Sequence, residues 1–75
     1  MSKYAEIICW IYDETQKKHY MSATTKDNRW GELIKIVEAD SVNQTIKFLD
    51  EDAETDKYVR RSIDKLLEDG YVLTK

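Results

Sequence analysis

The stretch NRWGELIKIV, residues 28–37, decides the fold, because it satisfies two incompatible patterns. Trp30, Leu33, Ile34 and Val37 recur at i, i+3, i+4 and i+7, the spacing of one helix face. The same residues end in LIKIV, whose β-branched side chains favour a pleated surface, and Gly31 weakens a helix. The surroundings favour a strand. The polar run KDNR, residues 26–29, is a turn signal directly before Trp30. TIKFL, residues 45–49, offers a strand that pairs back across the short polar link DSVNQ, residues 40–44. A strand is therefore expected here, with Trp30 packed on the sheet or the helix. In the alternative, residues 28–39 are helical and the order is ββαβα.

Upstream, KYAEIICWIYD (3–13) and KKHYMSATT (17–25) are rich in β-branched and aromatic residues and flank a polar turn, so they read as a β-hairpin. With strict alternation the first strand has two apolar faces: Ile7, Cys9 and Ile11 on one side, Tyr4, Ile8, Trp10 and Tyr12 on the other. Downstream, Tyr58, Val59, Ser62, Ile63, Leu66 and Leu67 form one stripe along a helix, and Gly70 ends it. The expected fold is α+β: an antiparallel meander of about four strands with a C-terminal amphipathic helix on one face. Residues 1–75 make a single domain, since two would need roughly twice this length.

A content of 41% hydrophobic residues supports a packed core, while 36% charged residues make a highly polar surface. The apolar run IICWIY, residues 7–12, is far below the ~18 residues of a membrane span, so a cytoplasmic protein is expected. Cys9 is the one cysteine, which excludes an internal disulfide and a thiolate cluster. The net charge of −3 disfavours nonspecific attraction to phosphate backbones.

Catalytic constellations are weak. A nucleophile needs a base within hydrogen-bond reach, and Cys9 and the single histidine, His19, fall on diagonal positions of the hairpin. Cys9 is expected as a small core residue and His19 as a surface residue near the hairpin end. No metal, cofactor or enzyme activity is expected. DEDAETD, residues 50–56, lacks the glycine and terminal glutamate of a calcium loop, and two glycines are too few for a phosphate loop. Arg60 and Arg61 belong to a basic strip on the helix that is paired in spacing with Asp56 and Asp64.

Taken in order, the opening strand KYAEI, Tyr20, RWG at 29–31, Phe48, the helix and the closing DGYV resemble a WGR domain, the small module of poly(ADP-ribose) polymerases and some bacterial proteins. The resemblance implies nucleic-acid contact by the tryptophan and the arginine of the motif. Here Trp30 holds the first position and Glu32 stands where the family carries arginine. A separate nucleic-acid reading, from the residues alone, has bases stacking on Trp10 and Tyr12 while Arg60 and Arg61 take phosphate.

One helix covers one side of a sheet. If Ile7, Cys9 and Ile11 face the helix, then Tyr4, Ile8, Trp10 and Tyr12 form an exposed aromatic patch of the kind that marks interfaces. Together with the acidic cluster Asp50, Glu51, Asp52 and Glu54, this leads to the expectation of a non-enzymatic protein-interaction module: a small acidic regulator or inhibitor that binds another protein or a second copy of itself. Chains of this type are common among phage-encoded regulators. The alternative is WGR-like nucleic-acid binding.

Overall fold

The computed structural model describes residues 3–27 and 31–74. Arg29 and Trp30, and with them most of the RWG motif, lie outside the described residues. Strands β1 (Tyr4–Asp13), β2 (Lys18–Thr25), β3 (Ile34–Asp40) and β4 (Thr45–Phe48) form an antiparallel meander. A short 3-10 turn (Glu51–Thr55) and the helix α1 (Lys57–Glu68) then cross over the sheet to β5 (Val72–Thr74), which pairs parallel to β4. Parallel pairing requires such a crossover, and the helical segment supplies it.

The described part of the ambiguous stretch is irregular chain over 31–33 and a strand from Ile34 onward. Val37 pairs with Met21 on one side and Phe48 on the other, and Gly31 sits at a φ of +69°, which no continuing helix adopts. The fifth strand, Val72–Thr74, is an addition to the expected four.

The β1–β2 and β3–β4 turns use the same chemistry. Asp13 Oδ1 accepts from the backbone N–H groups of Thr15 and Gln16, and Asp40 Oδ1 accepts from those of Val42 and Asn43. Each loop closes with a left-handed residue, Lys17 at φ 57° and Gln44 at φ 54°. The aspartates satisfy backbone donors that the tight turn leaves without ladder partners.

At the other end, Asp56 caps α1 by accepting from Tyr58 and Val59 N–H. Beyond the helix, Gly70 N–H donates to the Leu67 carbonyl and Tyr71 N–H to that of Leu66, a Schellman closure with Gly70 at φ +102°. Tyr71 and Leu66 both pack on the core cluster, as the hydrophobic contact of this motif requires.

The core lies between one sheet face and the inner side of the helix. Met21, Ala23, Ile36, Val37, Ile46, Ala53, Val59 and Ile63 are fully buried, with Leu66 and Leu67 packed on them. The helical stripe is thus confirmed at its centre, whereas Tyr58, at its edge, is 55% exposed.

The expectation of two clean faces on β1 fails. Register shifts interrupt its pairing with β2 between Tyr4 and Glu6 and again between Ile8 and Ile11, so the strand carries two extra residues. Each extra residue inverts the alternation. Tyr4, Ile7 and Trp10, spaced by three, therefore all pack on the helix-side core. β3 has its own bulge: Ser22 pairs with Lys35 and Met21 with Val37, leaving Ile36 as the extra residue, and Ile36 and Val37 are both buried. The Ile36 carbonyl accepts from Leu49 at 2.8 Å and from Asp50 at 3.3 Å, which anchors the chain as it leaves β4.

Gly70 offers a test of conformational against steric cost. A Cβ there meets no atom within 4 Å, yet the backbone is left-handed. Gly70→Ala is expected to lower unfolding free energy by about 1–2 kcal/mol through backbone strain alone. The check is a lower urea midpoint with an unchanged denaturant slope.

Candidate docking surface

The expected aromatic face does not exist as one surface. Tyr4 is only 5% exposed and belongs to the core. Trp10 is half-buried against that same core, because the bulge places it beside Cys9 opposite Met21. Ile8 is half-buried on the far face, opposite Ser22. Tyr12 is 50% exposed and leans on His19, ring centroids 4.9 Å apart.

The far face of the sheet is covered by its own charged side chains. Tyr20 is 6% exposed beneath Lys35, whose ammonium lies 4.2 Å from the ring centroid. Its hydroxyl donates to Glu38 at 3.1 Å. Lys18 pairs with Glu38 at 3.4 Å, and Lys35 reaches Asp13 at 3.3 Å. Long aliphatic stems cover apolar surface while their charged heads stay wet, which keeps Tyr20 from water without a second helix on this face. Ile11, opposite Tyr20, keeps 42% exposure at the margin of this network.

The acidic cluster divides into two roles. Asp50 caps the 3-10 turn through Asp52 N–H and accepts from the buried Tyr4 hydroxyl at 2.9 Å. Lys3 bridges Asp50 at 3.0 Å and Asp52 at 2.9 Å. These contacts join the start of β1 to the turn before α1. Burial pushes the Asp50 carboxyl up, but the Lys3 ammonium, the Tyr4 hydroxyl and the Asp52 N–H outweigh it and hold the group below its ordinary value. Burial, reinforced by Asp50, drives the Tyr4 phenol far above its ordinary range. Glu51 and Glu54 are exposed.

Next to this junction a groove runs between the first half of β1 and the start of α1, walled by Glu6 and Ile7 on one side and Thr55, Lys57 and Tyr58 on the other. β1 is the terminal strand of the sheet, so its outer edge has no strand neighbour among the described residues. Tyr58, which projects beside this edge, was read from its spacing as part of the buried stripe. Its place at the N-terminal margin of the stripe is the signal that separates it from Val59.

Of the residues expected for nucleic-acid contact, Arg60 and Arg61 fall among the described residues. Trp30 lies outside the described residues. Arg60 Nε donates to the Glu54 carbonyl and its guanidinium sits 5.6 Å from the Phe48 ring centroid, while Arg61 is exposed on α1. Cys9 is exposed instead of buried, its Sγ 3.6 Å from Ser62 Oγ, and His19 pairs with Tyr12, so no Cys–His dyad forms. Among the described residues no group of three or more His, Cys, Asp or Glu is placed to hold a metal, and no helix is long and apolar enough to cross a membrane.

No family model, curated protein or solved structure matches the chain.

Two outcomes follow from the junction. Tyr4→Phe removes the bond to Asp50 and is expected to cost about 1.5–3 kcal/mol, the range for a hydrogen bond to a charged group, measured as a fall in the urea midpoint. The carboxyls of Asp13, Asp40 and Asp50 are all held below the ordinary aspartate value of 3.8. For the first two, backbone N–H bonds from Gln16 and Asn43 are the leading cause. Groups depressed in the folded state contribute stability that is present above pH 3.8 and lost as pH falls through their lower folded values. The urea midpoint should therefore drop between neutral pH and about pH 3, and Asp50→Asn should flatten part of that drop.

Proposed function

We propose that this chain is a small non-enzymatic interaction module that acts as a regulator or inhibitor by docking another protein along the outer edge of β1. The observation that carries this reading is the groove beside that edge, where half-exposed Tyr58 stands beside Glu6 and Lys57. Edge strands pair readily with an added segment, and backbone bonds supply affinity while flanking side chains supply selectivity. A tyrosine beside such an edge offers a large, semi-rigid contact at low entropic cost.

The polar surroundings fit a reversible contact. Glu51 and Glu54 lie exposed on the 3-10 turn close by. They add negative field that would speed encounter with a basic partner and affect on-rate more than lifetime.

The test uses the full chain as bait in an extract of its host, beside Tyr58→Ala and Glu6→Lys. Both positions are exposed, so both variants should keep the wild-type urea midpoint. Support is a protein captured by wild type, reduced at least about tenfold by Tyr58→Ala, a loss of about 1.4 kcal/mol, and retained as salt rises from about 0.05 to about 0.2 M. Over that interval phosphate contacts lose orders of magnitude in affinity. Capture of nucleic acid that disappears over the same interval, and on replacing Trp30, Arg60 and Arg61 by Ala, overturns the reading in favour of the WGR-like alternative. Equal capture by wild type and both groove variants overturns the assignment to the β1 edge.

A further inference from the structure

We draw no further inference here: the strongest candidate, the exposed apolar edge formed by Val72 and Leu73 of the terminal strand β5, is an unpartnered surface, and nothing in the structure shows what covers it.

Discussion

A single helix can shelter one side of a sheet, and this chain has more large apolar side chains in its strands than strict alternation would deliver to that side. The bulges resolve the mismatch. By inserting extra residues near Ala5 and at Cys9–Trp10, β1 turns Tyr4, Ile7 and Trp10 toward the helix. By inserting Ile36, β3 does the same for two adjacent residues, Ile36 and Val37. Bulges weaken the local ladder but bend and twist the strand, and here the burial of several large side chains offsets that loss.

The other side of the sheet is sealed by a different device. Tyr20 occupies its middle, with Lys35 above the ring and Glu38 on the hydroxyl, while Lys18 and Asp13 complete the charge balance. Exposed ion pairs of this kind contribute little each. Their effect comes from geometry: stems of lysine and glutamate lie over aromatic surface and keep it from water. A face built this way keeps Tyr20 covered without a second layer, while Ile11 stays 42% exposed at its margin.

The acidic segment shows how one run of charge serves two purposes. Asp50 and Asp56 are structural, one tied to Tyr4 and Lys3, the other capping α1. Glu51 and Glu54 remain at the surface and shape the field around the groove. Composition alone cannot separate them, because the division depends on where Lys3 and Tyr4 arrive from the far end of the chain, forty-six residues away from Asp50 in the case of Tyr4.

Local pattern was enough for the elements whose evidence is local. The α+β class, the hairpins across polar links, the helix stripe through Val59 and Ile63, and the glycine closure at Gly70 all follow from neighbours within a turn or two, where backbone preference and hydrogen bonding act. The stretch 28–37, taken as a strand because a turn precedes it and a partner follows it, is a strand from Ile34. What the sequence by itself could not decide was which side of the sheet each β1 residue takes. A bulge leaves the one-dimensional pattern unchanged and shifts every side chain after it to the opposite face, so Tyr4, Ile7 and Trp10 share the helix side, while Cys9, within the second bulge, stays exposed beside Ser62. Only packing of the assembled sheet against one helix selects that arrangement, because burial is a property of all the layers together and is absent from any single strand.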